Sequence, residues 1–285
     1  MRLSHPPENR LTPSKGVLRS SRAGTIAANR AAGTGSLIGY LPVGFPDHET
    51  SIAALTAMVD GGVDVVEIGL PYSDPLIDGP VIQRATEHAL AGGTRTADVF
   101  PAVTAVTGAG APALVMTYWN LVDHYGVERF AADLAAAGGS GLITPDLLPD
   151  EAAGWTAASD RHGLDRVYLL ALSSTPERIA MTAAASRGFV YAAALMGVTG
   201  ERAAVGAGTA DLVHRIKAVS AQPVCMGLGV RDGAQAAEIG SYADGVIVGS
   251  AFVRALGEAP GRAAGLAAVR ALAQDLAAGV RAARR

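Results

Sequence analysis

The sequence predicts a single-domain (β/α)8 barrel, which is a closed ring of eight parallel strands with a helix after each strand. Two observations support this fold class. Short apolar runs alternate eight times with longer helical stretches between residue 36 and the C-terminus. Residues 35 to 285 also match the about 250 residues that such barrels usually contain. A doubly wound open sheet is the alternative architecture for the same alternation.

Eight apolar segments are the predicted strands, and glycine and proline mark many of the connections between strands and helices. The strand ranges are 37–44, 63–70, 113–119, 141–144, 167–173, 188–194, 223–229 and 245–251. The helix ranges are 49–61, 80–92, 97–108, 127–137, 150–162, 209–220 and 232–240, with a further helix from 176 and one at the C-terminus. Glycine pairs such as Gly138-Gly139 end helices, and Pro176 suits a first helical turn.

Composition limits the class of protein. The chain has 285 residues and 49% hydrophobic content, which is ample for a packed core. Cys225 is the single cysteine, so no intrachain disulfide can form, and no secretory hydrophobic segment opens the chain. The apolar runs fall short of the roughly 18 residues that a membrane span needs. We therefore expect a cytoplasmic protein that does not span a membrane.

Charge is distributed unevenly along the chain. Residues 1–30 carry six Lys or Arg and one acid, a net +5, so the rest carries −8 of the total −3. Residues 1–22 show no apolar period and are predicted to be a disordered basic extension before a barrel at 23–285. An acidic globular part is not expected to bind nucleic acid.

The stretch VDVVEIGLPYSDPLIDGP, residues 63–80, carries the first candidate functional residues. Strand alternation places Glu67 and Gly69 on one side with Val63 and Val65. A buried carboxylate is unfavourable unless it has a partner or a chemical task, so an ion pair with a core arginine is the structural alternative. The following loop returns Asp78 toward the same strand end, and two carboxyl groups in different surroundings can act as acid and base.

Glycines at the ends of the last three strands predict an anion site. They occur in Gly197-Val198-Thr199-Gly200, Met226-Gly227-Leu228-Gly229 and Val248-Gly249-Ser250-Ala251. In (β/α)8 barrels phosphate commonly binds in the loops after strands 7 and 8, where backbone N–H groups can approach it. A phosphorylated substrate beside Glu67 is therefore expected.

The types of residue present restrict the mechanism. A Schiff-base aldolase needs a lysine on an inner strand, but Lys15 lies in the extension and Lys217 in a predicted helix. The six histidines lie in loops or helices without metal-ligand spacing, so no metal site is predicted. Acid–base catalysis on a substrate with its own electron sink remains.

Six segments together resemble the alpha subunit of tryptophan synthase along essentially the whole barrel. They are GYLPVGFPD (39–47), VVEIGLPYSDPLIDGPVIQ (65–83), VMTYWN (115–120), GFVYAAALMGVTG (188–200), GLGV (227–230) and DGVIVGSA (244–251). The resemblance implies retro-aldol cleavage of indole-3-glycerol phosphate to indole and glyceraldehyde 3-phosphate. Protonation of indole C3 then supplies the electron sink without lysine or metal.

The resemblance also implies roles for individual residues. Glu67 matches the catalytic glutamate that protonates C3, and Asp78 the aspartate that accepts the indole N–H. The remaining matches are substrate contacts at Tyr191, Thr199, Tyr40 and Tyr118 and phosphate ligands at Gly200, Gly229, Gly249 and Ser250. For Tyr40 and Tyr118, barrel packing is the alternative role.

Three functions are consistent with this resemblance. The first is a subunit of an alpha2beta2 heterotetramer, whose beta subunit would carry pyridoxal phosphate, so no cofactor is expected in this chain. The second is a free-standing indole-3-glycerol-phosphate lyase that releases indole for secondary metabolism. The third is a non-catalytic activating or binding subunit.

Residues 195–208 are also expected to form a lid. Just before and at the start of it, Ala194-Leu195 replaces a Ser-Arg pair that some members of the family have. This difference bears on the coupling between the lid and the partner subunit.

Overall fold

The computed structural model describes residues 24–75, 77–194, 207–227 and 229–283. Eight parallel strands form a closed barrel in sequence order. They are β1 (Ser36–Pro42), β2 (Val65–Gly69), β3 (Ala113–Met116), β4 (Gly141–Thr144), β5 (Asp165–Ala171), β6 (Val190–Ala193), β7 (Val224–Gly227) and β8 (Gly245–Val248). Because β1 pairs with β8, with Ser36 opposite Gly245, the sheet has no edge. The predicted barrel is confirmed, and the open sheet is excluded.

Twelve helices surround the strands in the described part of the chain. They are α1 (Gly24–Ala31), α2 (His48–Asp60), α3 (Pro80–Ala91), α4 (Val99–Gly108), α5 (Trp119–Tyr125), α6 (Val127–Ala136), α7 (Ala153–His162), α8 (Pro176–Ala185), α9 (Ala207–Val219), α10 (Gly233–Gly240), α11 (Ser250–Gly257) and α12 (Arg262–Ala282). Two short 3₁₀ turns occur at Thr96–Asp98 and Pro149–Glu151. Each strand end thus leads into helix, as the alternation predicts.

Most strands end one or two residues before the predicted position, and two of them, the third and the eighth, end three residues before it. The third ends at Met116, because Trp119 begins α5 and its backbone N–H donates to the Asp146 carboxylate at 2.9 Å. The eighth ends at Val248, because the backbone turns at Gly249 and Ser250 is the first residue of α11. Both predicted strands were too long because the first residues of the following helices are also aromatic or apolar. The earlier end of β8 places the N-terminus of α11 at the open end of the barrel.

Apolar side chains fill the half of the barrel interior that lies at the N-terminal ends of the strands. The inward positions are Ile38, Val65, Leu114, Ile143, Val167, Phe189, Cys225 and Ile247. Ile26 of α1, a helix that the sequence did not predict, packs against this layer at the N-terminal ends of the strands. Access to the interior is therefore from the C-terminal ends, where active sites of this fold lie.

The outer layer buries the other faces of the strands. Helix α12 is long and apolar enough, by length and hydropathy alone, to cross a membrane. Its buried residues, among them Val269, Ala273 and Leu276, form one side of the helix, and it contacts α2 and α10. Such one-sided packing against other helices is typical of a core helix in a globular protein.

Candidate active site

Glu67 lies in the middle of β2 with its side chain inside the barrel. Its strand neighbours are Tyr40 on β1 and Leu114 on β3. The residue is 1% exposed, and neither carboxylate oxygen has a hydrogen-bond partner among the described residues. The core ion pair that the sequence left open is therefore absent from this part of the chain. Burial raises the pKa of Glu67 to about 8, and the charge of Asp78 adds to the effect. At neutral pH the group is mainly a neutral acid, which can donate a proton.

Asp78 lies in the loop between β2 and α3, close enough to raise the pKa of Glu67. Burial raises the pKa of Asp78 to about 6, while the Tyr118 hydroxyl, which donates to Oδ2 at 3.5 Å, acts in the opposite direction. The backbone N–H of Ile77 donates to the same phenol oxygen at 3.2 Å. Near pH 7 an ionised Asp78 therefore faces a protonated Glu67, which is the difference in environment that acid–base pairs use.

Two tyrosines fit into space left by inward-facing glycines. A Cβ atom on Gly69 would lie 2.3 Å from the Tyr40 hydroxyl, and one on Gly227 would lie 2.5 Å from the Tyr191 hydroxyl. Real Cβ atoms do not approach so closely, so glycine at these two strand positions makes room for the phenols. Burial raises the pKa of both phenols well above the ordinary value, so they remain protonated donors.

The cavity that contains Glu67 and Asp78 is also lined by Gly229, Gly249 and Ser250. Gly229 has φ +61°, a left-handed conformation that glycine adopts without strain. Gly249 precedes the first turn of α11, and Ser250 begins it. The N–H groups of a first helical turn have no partner within the helix, so they can bind an anion. These three residues, called the anion cup below, are suited to binding a phosphate group.

A cavity of about 420 Å³ joins the carboxyl groups to this anion cup. Of the predicted site residues, it is lined by Tyr40, Glu67, Asp78, Tyr191, Gly229, Gly249 and Ser250. Tyr118 lines a smaller pocket behind Asp78 and stacks on Tyr72 with ring centroids 4.8 Å apart. It contacts the main site through Asp78. Thr199, Gly200 and all but the last residues of the predicted lid, 207–208, lie outside the described residues.

The cavity has apolar walls whose residues are not among the predicted site residues. They include Ile77, Ile82, Met116, Leu169 and Ile247. Strand alternation could have identified three of these residues, because Met116, Leu169 and Ile247 each lie two positions after another inward residue. A flat aromatic group could be held between such walls.

The lysine in the described part of the chain lies outside this cavity. Lys217 is on α9, where its Nζ donates to the Tyr242 carbonyl at 2.9 Å and to Asp244 at 3.1 Å. Within the described ranges, no three His, Cys, Asp or Glu side chains are grouped closely enough to hold a metal ion. The site thus offers a neutral acid, a carboxylate, phenols and an anion cup.

Comparisons with known proteins identify the family. The sequence model of the family "Tryptophan synthase alpha chain" matches residues 26–281. The tryptophan synthase alpha chain of Mycobacterium marinum is 64% identical over 255 residues, which is 90% of this chain and 91% of that protein. That of Mycobacterium tuberculosis is 60% identical over 267 residues, or 92% and 95% of the two chains.

Solved structures agree with the sequence relatives. A crystal structure of tryptophan synthase from M. tuberculosis in its aminoacrylate-bound form matches with a TM-score of 0.84 at 57% identity, covering 92% of this chain and 100% of that chain. The alpha subunit from Legionella pneumophila matches with a TM-score of 0.83 at 31% identity, covering 91% and 98%. The chain belongs to the tryptophan synthase alpha chain family.

Proposed function

We propose that Glu67 and Asp78 carry out the reaction of this family, the lyase cleavage of indole-3-glycerol phosphate to indole and glyceraldehyde 3-phosphate. The observation that supports their roles most directly is the raised pKa of Glu67, about 8, in a cavity that also contains an ionisable aspartate and an anion cup. A neutral carboxylic acid at pH 7 can protonate carbon, and its conjugate base can then accept a proton.

The reaction balances with these groups alone. Glu67 donates its proton to C3 of the indole, while the ring N–H donates a hydrogen bond to the Asp78 carboxylate. The resulting cationic ring is the electron sink. The Glu67 carboxylate next removes the proton of the glycerol hydroxyl beside C3, the C–C bond breaks, and its electrons return to the ring. Indole and the aldehyde are released, and Glu67 is protonated again.

The surroundings of Glu67 suit this double role. Its two oxygens have no partner among the described residues, so a substrate that supplies a proton acceptor and then a hydroxyl donor relieves an unfavourable burial. The cup at Gly229, Gly249 and Ser250 would hold the phosphate and fix the substrate along the cavity. Orientation of this kind lowers the barrier by restricting the substrate to reactive geometries.

A partner subunit is part of the proposal. Leu148 and Leu172 follow β4 and β5 at the open end of the barrel and are 45% and 43% exposed. Exposed apolar side chains near a site mouth support docking of another protein there. We infer that the partner is a tryptophan synthase beta subunit in an alpha2beta2 assembly in the cytoplasm, and that pyridoxal phosphate belongs to that subunit. A free-standing lyase uses the same residues and remains the second candidate.

Indole release by the purified chain, alone and with a beta subunit, tests the proposal. We expect slow release alone and strong activation on addition of the beta subunit, because a synthase subunit is completed by its partner. Fast release that the beta subunit does not change would identify a free-standing lyase. If no indole were released in either condition, the chain would be a non-catalytic subunit and the chemistry assigned to Glu67 and Asp78 would be refuted.

The pH dependence of kcat/KM gives an independent test. We expect a bell-shaped profile with limbs near pH 6 and pH 8, because Asp78 must be ionised and Glu67 protonated. Activity falls below the first limb as Asp78 gains a proton, and above the second as Glu67 loses one. A phosphate ester also titrates at about pH 6, so the affinity for a simple phosphate monoester is measured across the same range as a control. A flat profile from pH 5 to 9 would contradict the pair.

A further inference from the structure

Arg254 lies one helical turn after Ser250 on α11. Residues four positions apart share a helix face, and helical side chains lean toward the N-terminus of their helix. The Arg254 Nη2 atom is accordingly 3.5 Å from Ser250 Oγ, in a partly buried contact. The guanidinium therefore extends toward the end of α11 that forms the anion cup.

The charge of Arg254 is not neutralised by a neighbouring carboxylate in the described part of the chain. Arg262 and Arg270 on α12, in contrast, pair with Glu49 and Asp60. A phosphate monoester carries about −1.5 to −2 charges at pH 7. A partly buried, unneutralised cation one turn behind the cup is attractive to such a ligand, because screening by solvent is weaker there than at the surface.

The direction of the hydrogen bond determines what Ser250 can offer. Guanidinium groups only donate, so in this contact Arg254 is the donor and Ser250 Oγ is the acceptor. The hydroxyl proton of Ser250 is thereby left to point away from Arg254. Because Ser250 lines the cavity, an anion bound in the cup could accept a hydrogen bond from this hydroxyl.

We propose that Arg254 is a positioning residue of the phosphate site, which orients the Ser250 hydroxyl as a donor toward the substrate phosphate and adds a positive charge behind it. The inference deepens the proposed function, since it depends on phosphate binding at Ser250. Arg254 does not take part in proton transfer, so its effect falls on substrate affinity.

Binding of inorganic phosphate to the purified chain, measured by calorimetry, tests the proposal without any catalytic step. Arg254→Met removes the charge and the donors at similar length, and we expect affinity about fivefold to tenfold weaker. Arg254→Lys keeps the charge without the planar fork and should lose less. Arg270→Met is the matched control, because it removes the same charge from α12, and should leave affinity unchanged.

A double-mutant cycle with Ser250→Ala tests the route through the hydroxyl. We expect Arg254→Met to weaken phosphate binding less than about twofold when Ser250 is already alanine. In the full reaction the single variant should raise KM with little change in kcat. Wild-type phosphate affinity in Arg254→Met would overturn the proposal, and an undiminished loss in the Ser250→Ala background would overturn the positioning role.

These outcomes separate the inference from the proposed function. Phosphate binding that responds to Arg254, in a chain that never releases indole, would support the inference and refute the lyase chemistry. Indole release with wild-type kinetics in Arg254→Met would support the lyase chemistry and refute the inference. Thermal unfolding of each variant establishes that the barrel is intact.

Discussion

Glu67→Gln should lower the single-turnover rate of indole release about 10⁴-fold, at the upper end of the range for a general acid–base group. The amide can neither protonate indole C3 nor accept the glycerol proton, so both steps assigned to Glu67 are lost together. The substitution preserves size and replaces one of two carboxyl oxygens, neither of which has a hydrogen-bond partner among the described residues. Phosphate affinity is therefore expected to stay at the wild-type value.

Stability gives a second readout for the same variant. The pKa of Glu67 rises from 4.5 in the unfolded chain to about 8 in the folded one, so the folded state binds this proton more tightly. Folding is then favoured below pH 4.5, and this contribution is lost as pH rises toward 8. Glutamine does not titrate, so the Tm of Glu67→Gln minus that of the wild type should increase from pH 5 to pH 8.

The control for this variant is Glu238→Gln, which removes an exposed glutamate from α10. It should not change the rate of indole release. Substantial turnover by Glu67→Gln, with phosphate affinity intact, would refute the central role of this carboxyl group.

The position of Glu67 could be predicted from sequence, because alternation along a strand needs only local information. The fit of Tyr40 over Gly69 and of Tyr191 over Gly227 could not, because it depends on which residues adjacent strands bring side by side. Register between strands follows from barrel closure, which no single segment encodes.

The anion cup shows why the start of a helix is difficult to predict from sequence. The glycines at 229 and 249 were predicted to approach an anion, and the structure places them at one cavity with Ser250. The apolar run GVIVGSA nevertheless extended the strand prediction past the first residue of α11. Short apolar runs fit strand and buried helix equally well, so the helix start, and with it the placement of Arg254 behind Ser250, became visible only in three dimensions.

Asp78→Asn should reduce the single-turnover rate about 10²-fold, a smaller loss than that of Glu67→Gln. Asparagine still offers an oxygen to the indole N–H but no negative charge to the cationic ring. The variant should also change the pH profile. The limb near pH 6 should disappear, and the limb near pH 8 should move to lower pH, because the charge of Asp78 helps to raise the pKa of Glu67.

Tyr118→Phe is the matched control for this variant, because it keeps the carboxylate and removes the phenol that donates to it. That hydrogen bond lowers the pKa of Asp78, so its loss should move the acid limb upward and leave the alkaline limb in place. The two variants thus shift different limbs. If Asp78 were instead the proton donor and Glu67 the stabilising charge, Asp78→Asn would cause the larger loss and Glu67→Gln the smaller one. The order of the two losses, measured under single turnover, therefore decides which carboxyl group protonates the ring.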